Sequence, residues 1–126
     1  INLMKKILAL FFIFFTFCVS ATEKETTFDM EVFNAAQKAG KTIVINSWNK
    51  SCGTCAKQIE ILNQAKKDFP EVIFLSYEQT KHNDIAKLLN VDFWATIVVY
   101  KNRNEIAKEI GIVNKNDIYS LIKKEI

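Results

Sequence analysis

Two thiols three residues apart, in Cys52-Gly53-Thr54-Cys55, are the side chains of this sequence best suited to covalent chemistry. What surrounds them matters more than their spacing. Thr42-Ile43-Val44-Ile45-Asn46-Ser47 is a β-branched run of the kind that forms a strand buried on both faces. Trp48-Asn49-Lys50-Ser51 then reads as a loop, and Cys52 to Phe69 as a long helix stopped by Pro70. Its apolar face runs Cys55, Ile59, Leu62, Ala65 and Phe69. A thiol at a helix N-terminus faces unpaired backbone N–H groups and the positive end of the dipole, which stabilise its thiolate. Lys50 and Lys57 push in the same direction. Cys55, one turn deeper on the same face, is within reach of a disulfide with Cys52.

This arrangement suits thiol–disulfide exchange. Cys52 thiolate attacks a substrate disulfide to give a mixed disulfide, and Cys55 then attacks the Cys52 sulfur and releases reduced substrate. Gly53 lets a substrate backbone approach closely, and Thr54 influences the thiolate through its N–H or hydroxyl. A purely structural bridge is the plainer alternative, but closing so short a loop removes little chain entropy. Zinc normally needs four ligands, and His82 alone is available to join the pair; it reads as a solvated loop residue. Ala56 follows the motif where haem attachment needs histidine. No nucleotide-binding glycine pattern is present, so neither metal nor organic cofactor is expected, and electrons must come from elsewhere.

The remaining elements must hold this strand-to-helix junction. A helix is predicted from Phe28 to Ala39, with positions 28, 32, 35, 36 and 39 inward, Thr27 as its cap and Gly40 as its end. Val72 to Tyr77 reads as a second buried strand. A short helix around Asp84 to Leu89 directs Ile85, Leu88 and Leu89 inward. Thr96 to Tyr100 and Glu105 to Ile112 read as an antiparallel hairpin across Lys101-Asn102-Arg103-Asn104. The last helix spans about Asn116 to Lys124, with Ile118, Leu121 and Ile122 on its inner face. The pattern predicts one α/β domain from residue 28 to residue 126, with a central mixed sheet of about four strands and helices on both faces.

The whole-chain totals need correcting for the N-terminus. Lys5 and Lys6 precede an apolar run from Ile7, and Val19-Ser20-Ala21 supplies small residues for signal peptidase. Residues 1–21 are therefore expected to be a signal peptide cleaved after Ala21, with Met4 as the start and residues 22–27 a polar lead-in. The apolar run is short of the roughly 17–25 residues that cross a bilayer. If uncleaved, it would anchor the protein. Phe17 before Cys18 does not suit a lipoprotein signal. The leader holds Phe11, Phe12, Phe14, Phe15 and Phe17, half of the 10 phenylalanines, and two of the 17 basic side chains that face 14 acidic ones. What remains is nearly neutral, without the basic footprint of a nucleic-acid binder.

Trp48 ahead of the Cys52-Gly53-Thr54-Cys55 motif, the strand–motif–helix context, and Val91 leading into Thr96-Ile97-Val98-Val99-Tyr100 make the chain resemble the thioredoxin family from Phe28 to Ile126. Lys101-Asn102 and Gly111 after the hairpin also fit. The resemblance implies a sheet flanked by helices and disulfide reduction or exchange on proteins, with substrates docking against a loop at Trp94, Ala95 and Thr96. Three departures stand out. The family's cis-proline is replaced by Ala95, where a cis bond after Trp94 would cost about 3–4 kcal/mol, so a trans bond is expected. The family's buried strand aspartate is Asn46, which cannot take a proton from Cys55. Ser51 replaces the aromatic usual before the first cysteine, and Thr54 the proline usual between the two. Trp94 is a candidate to restore apolar surface, although one of Phe93 and Trp94 is expected to point inward.

The expected protein is an exported, periplasmic thiol–disulfide oxidoreductase that favours reduction or isomerisation. Its expected partners are a disulfide-containing protein and a membrane electron donor or other thiol reductant, and the protein itself is expected to be a monomer. A non-enzymatic binding module on the same fold and a thiol metal carrier are the rival readings.

Overall fold

A computed structural model describes residues 24–126; the predicted leader and its cleavage site lie outside the described residues. The elements are α1 (Met30–Lys38), β1 (Ile43–Trp48), α2 (Gly53–Asp68), β2 (Ile73–Glu78), α3 (Asn83–Leu88), β3 (Thr96–Lys101), β4 (Asn104–Ile110) and α4 (Lys115–Lys123). Their order is the predicted one. The strands form one sheet in the order β2-β1-β3-β4. β1 runs parallel to β2 and antiparallel to β3, and β3 and β4 form the hairpin.

All six residues of β1 are buried, the polar Asn46 and Ser47 among them, as befits a strand paired on both edges and covered on both faces. Alternate residues feed two cores. Ile43 and Ile45 meet Phe33 and Ala36 of α1 and Ile85, Ala86 and Leu89 around α3 on one face. Val44 meets Leu62 and Ala65 of α2 and Ile118, Leu121 and Ile122 of α4 on the other.

Local details depart from the sequence reading in four places. The cap of α1 is Asp29, whose carboxylate accepts from the amides of Glu31 and Val32. Phe28 stays outside the helix and packs on Phe33, ring centroids 5.3 Å apart, closing the entry as a hydrophobic staple. This start rotates the buried face to Phe33 and Ala36, so Val32, Ala35 and Ala39 are exposed rather than inward. In α3, Ala86 takes the inward place predicted for Leu88, which is exposed. The hairpin link is shorter than predicted because Asn102 and Arg103 both adopt positive φ, the two-residue geometry that matches strand twist. At the far end, β4 stops at Ile110, and Gly111 at φ +75° turns the chain back to the site.

Candidate active site

β1 carries the chain to Trp48, and four residues later Cys52 caps α2. The cap is a sulfur: Cys52 Sγ accepts the Cys55 amide at 3.0 Å, taking up one of the donors that the first turn of a helix leaves unpaired. Cys52 and Cys55 are joined as a disulfide, with Cα atoms 5.2 Å apart. Cys55 is wholly buried and Cys52 nearly so, in a small cluster with Trp48, Ile59 and Ala95. Cys55 Sγ lies 4.0 Å from the Ser47 carbonyl, which offers an acceptor to its thiol once the bridge is reduced. Gly53 begins α2 with open space where a Cβ would be, and Thr54 is half-buried beside it.

The loop ahead of Cys52 is held from three sides. Asn49 Oδ1 accepts the Ser51 amide at 3.0 Å, while its Nδ2 donates to Glu78 Oε1 and to Thr80 Oγ1. The Glu78 carboxyl is held below the usual carboxylate range, chiefly by the hydrogen bond that Thr80 donates and further by the nearby Lys81 ammonium, against the opposing effect of burial. Segment 24–28 lies along β2: the amides of Thr27 and Phe28 donate to the Ser76 carbonyl, and Thr26 Oγ1 accepts the Glu78 amide. From there the Glu25 carbonyl accepts the Trp48 indole N–H at 2.9 Å. Lys24 donates to the carbonyls of Asn49, Lys50 and Cys52.

Across from the disulfide, the predicted docking residues form a tightly pinned loop. The Trp94–Ala95 bond is trans, as expected, and Ala95 sits at φ +58°, a left-handed conformation unusual for alanine. Its N–H donates to the Ser47 carbonyl, and its C=O accepts from the Gly111 amide and from Gln58 Nε2. Ser47 Oγ accepts the Thr96 amide and donates to the Phe93 carbonyl, which the Thr96 hydroxyl also engages. Behind this loop, Gln79 Nε2 holds the Val91 carbonyl and Tyr77 donates to Gln79 Oε1, its phenol pushed well above its ordinary pKa by burial. The expectation that one of Phe93 and Trp94 points inward is not met: Phe93 is 61% and Trp94 47% exposed. The turn at Ala95 lifts both aromatic side chains out of the strand alternation before β3 begins.

Asn46 occupies the buried β1 position predicted for it, with Nδ2 unpartnered. It borders a cleft lined also by Ile59, Leu62, Lys66 and Ser76. Lys50 and Lys57 are exposed, and neither hydrogen-bonds the cysteines; the ammonium seated beside Cys52 belongs to Lys24. Among the described residues, no three of His, Cys, Asp and Glu cluster as a metal would need, and His82 stands at the start of α3. Nor is any helix among them long and apolar enough to cross a membrane.

Sequence reasoning missed Lys24, Ser47, Asn49 and Gln58 as site-building residues. Gln58 left a readable signal, a polar residue interrupting the apolar face Cys55–Ile59–Leu62. Lys24 left none, because its three acceptors lie some 25 residues away along the chain.

A sheet of this order, with a dithiol pair at the junction of a buried strand and a helix, defines a thiol–disulfide oxidoreductase. The thioredoxin family model matches residues 19–124, and the chain belongs to the thioredoxin family. It is 30% identical over 91 residues to a thioredoxin of Mycoplasma genitalium, covering 72% of this chain and 85% of that one. It is 27% identical over 108 residues to an H-type thioredoxin of Oryza sativa, covering 86% and 87%. Among solved structures, mitochondrial thioredoxin 3 of Saccharomyces cerevisiae, in its oxidised form, superposes with a TM-score of 0.65 at 28% identity, over 75% of this chain and 88% of that chain. Fasciola hepatica thioredoxin gives a TM-score of 0.68 at 21% identity, over 76% and 92%, a likeness of fold.

Proposed function

We propose that this thioredoxin-family protein is exported and works in the periplasm, reducing or rearranging disulfides in protein substrates with Cys52 as nucleophile and Cys55 as resolving thiol. One observation carries the assignment of roles: Cys52 caps α2, where its sulfur meets the Cys55 amide, while Cys55 is buried one turn deeper. Helix-terminal N–H groups favour the thiolate at Cys52, and burial disfavours it at Cys55.

In the reductive direction the Cys52 thiolate attacks one sulfur of a substrate disulfide. That bond breaks, a Cys52–substrate disulfide forms, and the substrate's other sulfur leaves as a thiolate that takes up a proton. Cys55 then loses its proton and attacks Cys52 Sγ, expelling the second substrate thiolate and restoring the Cys52–Cys55 bridge. Two electrons have passed to the substrate. A membrane electron donor or another thiol reductant returns them, and the protein acts as a monomer without metal, organic cofactor or nucleic acid. Phe93 and Trp94 supply the apolar docking surface that Ser51 no longer offers. No described residue hydrogen-bonds the Trp94 backbone, which leaves it open to a substrate strand, with Ala95 and Thr96 supporting it from behind. Export rests on residues 1–21.

Replacing Cys55 with Ser tests the reading. The variant should accumulate mixed disulfides through Cys52 in the compartment where the protein resides, while the wild type reduces insulin with dithiothreitol as electron source. Failure of both would leave the rival reading, a binding module that keeps the bridge only as structure. The replaced proline at Ala95 and the absent carboxylate at Asn46 are the observations that favour that rival.

A further inference from the structure

Lys24 precedes α1 by six residues, in a segment with no helical or strand pattern of its own, yet its ammonium is among the most specifically placed cations in the molecule. Nζ donates to the carbonyls of Asn49 at 2.9 Å, Lys50 at 3.2 Å and Cys52 at 3.1 Å. Three acceptors from one loop match the three protons of an ammonium group. The side chain is half-buried, and its backbone is tethered through residues 25–27. Glu25 O receives Trp48 Nε1 and Ser76 Oγ, Thr26 Oγ1 receives the Glu78 amide, and Thr27 Oγ1 receives the Ser76 amide. Lys24 is thus delivered to the cysteine loop by the strap that also orients Trp48.

We propose that Lys24 is a positioning residue for thiol–disulfide exchange: by closing the loop 49–52 onto itself and placing a fixed positive charge at Cys52, it favours the Cys52 thiolate over the thiol. The inference rests on the reading of Cys52 as the nucleophile. When the bridge is reduced and Cys52 S–H gives its proton to solvent, the new anion forms on the residue whose own carbonyl already accepts from the Lys24 ammonium. An opposite charge held close to a thiol lowers its pKa. The other charged groups around the site do not duplicate this. Lys50 on the loop and Lys57 on α2 are exposed, as is Asp92 ahead of the docking loop. The Glu25 side chain is exposed on the strap, and the buried Glu78 carboxylate on β2 is engaged by Thr80, Asn49 and Lys81.

The test titrates the thiol directly. The full chain is reduced, alkylated with iodoacetamide across pH 5 to 9, and label at Cys52 is quantified by peptide fragmentation, which separates it from label at Cys55 and at Cys18. Lys24→Met should raise the titration midpoint by about 0.5–1 pH unit and slow alkylation near pH 6 about three- to tenfold. Lys24→Arg should restore most of the wild-type midpoint. A midpoint that stays within about 0.2 pH unit in Lys24→Met, or an Arg variant no better than Met, would overturn the proposal. Lys24→Gln provides a second neutral side chain should Lys24→Met fail to fold. Because the readout is thiol ionisation, a Cys55→Ser variant that traps no substrate together with a wild type that reduces no insulin would refute the proposed function without altering this result.

Discussion

Gln58 Nε2 donates to the Ala95 carbonyl at 3.1 Å, so the helix that Cys52 caps and that contains Cys55 also holds the loop facing them. The same nitrogen donates to the Ile112 carbonyl at 2.9 Å, tying in the segment that leaves β4. The site is a clamp with one buried side chain at its hinge. Gln58→Met keeps the volume but takes the Gln58 donor from the Ile112 carbonyl and one of two donors from the Ala95 carbonyl, and should cost about 1–2 kcal/mol. Denaturant unfolding measures the loss. Reactivity toward a protein disulfide should fall further than reactivity toward a small aromatic disulfide, which needs no docking loop.

Ala95 holds a left-handed backbone that costs an L-residue about 1–2 kcal/mol. Ala95→Gly removes that strain but adds chain entropy, so stability should change by less than about 1 kcal/mol. Ala95→Pro behaves differently. Proline requires φ near −65° and has no N–H for the Ser47 carbonyl, so the present loop cannot accept it unchanged. We expect Ala95→Pro to lower stability by about 2–4 kcal/mol, seen as a fall in Tm. A stability equal to wild type would mean that the loop readily adopts another conformation.

Gly53 has no neighbour within 4 Å of the place its Cβ would occupy. Gly53→Ala should therefore fold with unchanged or slightly raised stability. If substrate backbone approaches at Gly53, the same variant should slow insulin reduction several-fold. Unchanged rates would place the substrate path elsewhere.

Asn46 sits where a carboxylate would be buried beside hydrophobic Ile59 and Leu62, with Lys66 along the same cleft. In Asn46→Asp, burial should raise the folded-state pKa above its unfolded value of about 3.9. The variant's stability should then fall, relative to wild type, as pH rises from about 4 to 8, because the unfolded state loses its proton first. For every pH unit by which burial raises that pKa, about 1.4 kcal/mol of stability is lost by the top of the range. Urea midpoints at several pH values measure it. Faster resolution of the mixed disulfide near neutral pH is the expected gain, since the new group can accept the Cys55 proton.

Glu78 has the opposite sign. Its folded pKa is lowered, so it stabilises the fold above its unfolded pKa of about 4.3, and that contribution is lost as pH falls through the folded value. Glu78→Gln should lose part of the acid sensitivity that wild type shows below about pH 4.5 and leave Asn49 with a weaker acceptor. Melting curves across pH 3 to 7 separate the two.

The cysteine motif, the buried β1 strand, the helix it feeds and the order of all eight elements were legible in residue order, because each depends on local periodicity and on caps a few residues away. The inner faces of α2 and α4 followed the same logic. Those of α1 and α3 shifted by a residue, since Asp29 rather than Thr27 begins the first and a small residue, Ala86, packs under the second.

What the amino-acid order determined by itself was a two-thiol exchange site at a strand-to-helix junction, because helix polarity and spacing are properties of neighbouring residues. Only the tertiary structure decided which groups surround that site. Lys24 reaches Cys52, Gln58 reaches Ala95, and Ser47 reaches Thr96, over separations of 28, 37 and 49 residues. The turn at Ala95 that exposes Trp94 belongs with them. Contacts between distant segments arise when the sheet closes and the helices pack, and no periodicity within either partner announces them.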